Sequence, residues 1–114
     1  MADSGLLGEL RAFCLTLPAA SEELTWGHPT FRVGGKIFAT AGATPEGEAR
    51  MTVKSTKDRQ PELLLRPGFF RPSYVGDKGW VGIVLDGTVP FAEITPLVEA
   101  AWVLTAPKRL SRGR

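Results

Sequence analysis

The stretch Thr25–Thr40, TWGHPTFRVGGKIFAT, carries the single histidine of the chain, His28. The single cysteine is Cys14. A metal centre needs several His, Cys, Asp or Glu side chains that converge, and this sequence signals no such set. A Ser or Cys triad would have to use His28 as its base, yet neither a nucleophile elbow nor an acidic orienter accompanies it. Glu22 and Glu23 are sequence neighbours and would face opposite ways on a strand. They could pair with Asp77 only if the fold brought them together. The pieces VGGK and YVGDKG lack the spacing and the strand–loop–helix setting of a phosphate or dinucleotide loop. The expectation is a protein with no catalytic residue, no metal and no cofactor.

Cationic side chains are the stronger lead. Arg32 and Lys36 flank the pair Gly34-Gly35, and Arg50 and Lys54 share one parity of a later segment. Lysine and arginine hold phosphates electrostatically, and arginine adds directional bidentate bonds. A two-stranded ribbon is narrow enough to enter a DNA groove. Arg32, Lys36, Arg50, Lys54 and Lys78 therefore form the candidate nucleic-acid-binding set. The same residues could equally be an ordinary solvated face. His28, Tyr74 and Trp80 form a possible local patch. Against that, His28 beside Trp26 reads as a turn residue closing a sheet end, and Trp80 reads as core. The net charge is only +2, but it is uneven: residues 30–71 carry +4 and the last eight +4, while the two remaining stretches are each −3. A basic centre and tail favour an anionic partner.

These side chains need elements to position them. Leu6, Leu7, Leu10, Phe13, Cys14 and Leu17 recur at helical spacing, with Asp3 or Ser4 as cap and Pro18 as stop. Cys14 on this apolar face reads as structural. Residues 22–26 suit a short strand. TFRV and KIFAT around Gly34-Gly35 predict a β-hairpin, because each glycine can take positive φ. Phe31 and Val33 then share a face, as do Ile37 and Ala39. AGATPEGE reads as a loop. In ARMTVKS, Ala49, Met51 and Val53 point inward, and Arg50, Thr52 and Lys54 point out. A helix is predicted within 56–65, with Thr56 as cap and Pro61 as a starting point or kink. Residues 73–75 are expected to pair with 80–85 across a turn at 76–79. Ile94, Leu97, Val98, Ala101 and Thr105, with Leu104 beside them, mark a last helix starting at 90 or 96. The prediction is a two-layer α+β domain over residues 1–107, an antiparallel sheet packed against helices, followed by a basic flexible tail at 108–114. No basic region leads into an apolar signal segment, and no apolar run approaches the ~18 residues of a membrane span. The expected location is cytoplasmic.

Several pieces in order, LP at 17–18, WGHPTFRVGGKIFA at 26–39, MTVKS at 51–55, RPSYVGDKGWVGIVLDG at 71–87 and APKRL at 106–110, resemble the MmcQ/YjbR family. The resemblance implies an α+β domain similar to frataxin-like or secretion-chaperone-like small domains. It also implies DNA binding, described for some members as a double-wing arrangement, and supplies no catalytic set. Phe31, Arg32, Gly34, Gly35 and Lys36 match the first signature; Tyr74, Lys78 and Trp80 match the later one. Ala101 and Trp102 depart from a Ser–Tyr pair common in the last helix.

The leading expectation is thus a non-enzymatic protein that binds duplex DNA. The alternative is a protein-interaction or adaptor domain, with a protein partner or self-association. A third reading, a small-molecule site, requires His28, Tyr74 and Lys78 to share a pocket.

Overall fold

Leu10 and Cys14, four residues apart, are the buried residues of the first helix, α1 (Leu6–Thr16), in the computed structural model, which describes residues 5–25 and 27–112. The expected caps Asp3 and Ser4 and the aromatic Trp26 lie outside the described residues. Burial raises the Cys14 thiol to about 12, which makes it a packing residue and a poor nucleophile.

The hairpin forms as expected. Strands β2 (His28–Val33) and β3 (Lys36–Ala43) meet at Gly34 and Gly35, whose φ values are 60° and 80°. β1 (Ser21–Thr25) pairs outside β2, and β4 (Ala49–Val53) pairs with β3. With β5 (Phe69–Phe70) and β6 (Val81–Val84) they make one antiparallel sheet ordered β1-β2-β3-β4-β6-β5.

Three expectations about the strands need correction. First, β3 does not stop at Thr40. Gly42 and Ala43 pair with Arg50 and Ala49, so the loop shrinks to residues 44–48, closed by Thr44 and Glu48 at 2.9 Å. A neighbouring strand supplies the ladder that a Gly/Ala composition conceals. Second, Ile37 and Ala39 do not share a face. Phe31 faces Ala39 while Arg32 faces Ile37, so Phe38 is an extra, bulged residue that reverses the alternation. Both Phe38 and Ala39 are buried as a result. Third, residues 73–75 do not pair with 80–85. Phe69 and Phe70 fill that place, opposite Ile83 and Gly82. Pro72 has no N–H to give a ladder, and Val75–Lys78 form a 3-10 turn ended by Gly79 at φ 99°. Buried Gln60 holds that turn, donating from Nε2 to the carbonyls of Gly76 (2.7 Å) and Trp80 (2.8 Å).

Gln60 opens α2 (Gln60–Leu64), where Pro61 falls in the first turn and breaks no helical bond. Thr56 Oγ1 accepts from the Arg59 amide just upstream at 3.1 Å. The long helix α3 (Phe91–Thr105) starts after Pro90 and runs through Pro96. Ile94, Leu97, Val98, Ala101, Trp102 and Thr105 are its buried stripe, but Leu104 is 45% exposed. Trp102 Nε1 donates to the Pro18 carbonyl at 3.0 Å and ties α3 to the end of α1. Beyond Pro107 the chain makes one more turn, α4 (Lys108–Ser111), with Leu110 against the core; Gly113 and Arg114 lie outside the described residues.

The layers follow from strand parity. Phe31, Val33, Ala39, Ala41, Met51, Val53, Val81 and Ile83 face α1 and α3 and form the core. Residues of opposite parity make the other face, where no helix residue lines the surface groove. Among the described residues no helix is long and apolar enough to cross a membrane.

Candidate functional site

The uncovered sheet face carries a groove of about 450 Å³. Thr25, Thr30, Thr40, Thr52 and Gly42 are among the residues that line its sheet side, with His28, Arg50 and Phe70 beside them. Every one of these strand residues has the parity opposite to the core.

The hydroxyls are ordered by a directed chain. Thr30 Oγ1 donates its one hydrogen to the Glu23 carbonyl at 2.9 Å. The Thr25–Thr30 bond of 3.1 Å must therefore run from Thr25 to Thr30. Thr25 in turn accepts from Arg32 Nη2 at 3.1 Å. Arg32 also reaches the Gly35 carbonyl at 3.4 Å and faces Glu23 Oε1 at 3.6 Å, while its Nε is buried without a hydrogen bond. Its side chain is 24% exposed, so Arg32 chiefly ties β2 to β1 and to the β2–β3 turn. Thr40 and Thr52 share one bond of 2.6 Å. Two hydroxyls sharing one bond leave one hydrogen free to donate into the groove.

Arg50 is the cation best placed to meet a ligand. The Phe70 ring lies against Gly82, where a Cβ would come within 2.3 Å of it. The Arg50 guanidinium covers the ring, with 4.7 Å from its carbon to the centroid. Its Nε and Nη2 both reach Glu48 Oε1 at 2.9 Å. Side chains of both partners are 43% exposed, so this pair is of the kind worth about 0–1 kcal/mol. A stronger anion can replace the carboxylate at small cost. His28 is exposed at the start of β2, and its ring sits over Gly42, where a Cβ would lie 3.1 Å from Nδ1.

The remaining sequence candidates are dispersed. Lys36 is exposed at the hairpin tip opposite Val33, on the helix side, whereas Arg32 is on the uncovered side. The turn register itself puts them on opposite faces, since Val33 pairs with Lys36 and Arg32 with Ile37. Lys54 follows the last rung of β4 and lines a different cleft, near Leu63 and Leu97. Strand parity no longer governs a residue past the ladder. Lys78 is exposed in the 3-10 turn, and Tyr74 is 93% exposed; neither lines the groove. Trp80 is buried, its carbonyl held by Gln60. His28, Tyr74 and Lys78 therefore share no pocket. Among the described residues, no three His, Cys, Asp or Glu side chains could hold a metal ion. Ala101 and Trp102 are both fully buried, which makes that departure in the last helix a matter of core packing.

Sequence reading missed the threonines, Gly42 and Phe70. Parity was the available signal: residues alternating with Phe31, Ala39, Ala41, Met51 and Val53 are Thr, Gly and Arg. Nothing local announces that Phe70 lies on Gly82, because that contact joins separate strands.

The YjbR family model matches residues 15–104. Among solved structures, the Deinococcus radiodurans protein DR2400, described with a DUF419 domain, is 26% identical. It superposes with a TM-score of 0.75 over 86% of this chain and 76% of its own. A protein from Pseudomonas syringae is 17% identical, with a TM-score of 0.77 over 86% of this chain and 97% of its own, a likeness of fold. No curated protein matches the chain.

Proposed function

This chain belongs to the YjbR family, and from that premise we propose that it binds duplex DNA across the uncovered face of its sheet. The observation that supports this most is Arg50, a half-exposed guanidinium held over Phe70 beside the groove. Packing on an aromatic ring limits the side-chain freedom that binding would otherwise remove. Arg50 then meets phosphate in place of Glu48, with bidentate geometry. The spare hydroxyl hydrogen of Thr40 or Thr52 and the ring of His28 add polar contacts of the kind that fix register on a duplex. Arg32 positions Thr25 and Thr30. Lys36 at the hairpin tip, Lys54, Lys78 and α4 add to the general field. Sheets that read DNA grooves offer a physical precedent. Such binding needs no cofactor and no bond chemistry, and a cytoplasmic location accompanies this reading.

The test is anisotropy of a labelled duplex over a salt series. Arg50→Gln is expected to weaken binding by about tenfold and to reduce the slope of log K against log salt by about one. An unchanged affinity and slope would move the site away from this face. Loss of binding only on deleting residues 108–114 would assign it to the basic tail.

A second reading, a protein-interaction domain, is favoured by one feature. β1 is an edge strand, and Leu24 on it is 75% exposed. Edge strands with apolar side chains invite pairing with another chain. A concentration-dependent sedimentation coefficient, abolished by Leu24→Lys, is the outcome that reading requires.

A further inference from the structure

A second cavity of about 320 Å³ opens on the helix side, where β4 ends and β6 begins, between α2 and α3. Its walls are aliphatic: Leu63 from α2, Leu97 and Val103 from α3, and Val81 from β6. Ala100 is the smallest side chain on the α3 wall, and it leaves the space open. At about 30 Å³ for each water-sized group, the cavity holds about ten such groups. Water there would find few partners, since the walls are almost wholly apolar. An apolar chain would displace it favourably.

The charged side chains among the lining residues are both cationic. Lys54 is half-buried and Arg59 is exposed, and neither forms an ion pair among the described residues. Ser55 and Thr56 lie between them in the chain and add polar groups. An aliphatic cleft lined by two cations, with no ion-pair partner for either and no lining carboxylate among the described residues, is complementary to an anion with an apolar tail. We infer that this cleft binds an amphiphilic carboxylate, its chain of about ten non-hydrogen atoms inside and its head between Lys54 and Arg59. It lies on the opposite side of the sheet from the groove, so this inference does not depend on DNA binding.

Decanoate, kept below its micelle concentration, is the probe, and decan-1-ol is the neutral control of equal length. Methyl NMR spectra of the full chain report the binding. Saturable shifts are expected at Leu63, Leu97 and Val103, with decanol bound about tenfold more weakly. The double variant Lys54→Gln, Arg59→Gln should raise the decanoate Kd by about tenfold or more while keeping the native spectral dispersion. Ala100→Phe should fill the cleft and abolish the shifts. If that variant unfolds, the double variant alone decides. Three results would overturn the inference: no saturable shift, equal affinity for decanol and decanoate, or shifts centred on His28 and Arg50.

Discussion

Replacing Trp102 by alanine is expected to lower the unfolding free energy by about 3–5 kcal/mol, the range for deleting a large buried aromatic. Trp102 is fully buried in the C-terminal half of the apolar stripe of α3. The cavity left behind would lie at the contact of both helices with the sheet, where rigid strands limit collapse. The indole also does a second job through its N–H, which bonds the Pro18 carbonyl 84 residues away. Trp102→Phe separates the two effects. It keeps most of the packing and loses the donor, with an expected cost of about 1 kcal/mol for the bond in addition to the smaller ring. Urea unfolding followed by circular dichroism measures both. A cost below about 1 kcal/mol for Trp102→Ala would mean that α3 is not seated as described.

The second large effect is expected at Gly82, and it connects packing to function. A Cβ there would lie 2.3 Å from Cζ of Phe70 and 2.6 Å from Cε1. Real side-chain atoms do not approach so closely, so in Gly82→Ala the ring must leave its place. Overpacking of this kind costs about 1–3 kcal/mol. Arg50 covers the same ring at 4.7 Å, so the displaced ring takes the guanidinium with it. Gly82→Ala is therefore expected to lower stability and also weaken DNA binding, although Gly82 carries no side chain to offer a ligand. Phe70→Leu should lower affinity with a smaller stability cost, because it removes the platform without a clash. An alanine at 82 that left both stability and binding intact would show that Phe70 is free to move without consequence.

Much of the fold is legible in local pattern. The alternation in ARMTV puts Met51 and Val53 in the core, and Gly34-Gly35 closes the hairpin. The stripe from Ile94 to Thr105 reads directly as a buried helix face. The misreadings share one cause, which is that a distant partner decides the outcome. Gly42 and Ala43 are strand because Arg50 and Ala49 lie beside them. The turn at 75–78 is held by Gln60, a side chain from another element. Ala39 joins the core face while Ile37 faces the groove because of one bulged residue between them, Phe38.

The candidate site divides in the same way. Arg50 on the outer face follows from parity alone. Its support by Phe70 and Gly82 does not, because three strand segments converge there. Lys36 and Lys54 look like companions of Arg32 and Arg50 in sequence. The hairpin's turn register and a strand end send them elsewhere.

The proposed seat of the duplex is the uncovered sheet face. The most direct test is an amide NMR titration of the full chain with a short duplex at low salt. The expected result is a set of saturable shifts at His28, Thr30, Thr40, Arg50 and Thr52, with Leu63, Ala100 and Val103 unmoved. Shifts confined to residues 108–112, or no shifts at all, would contradict it.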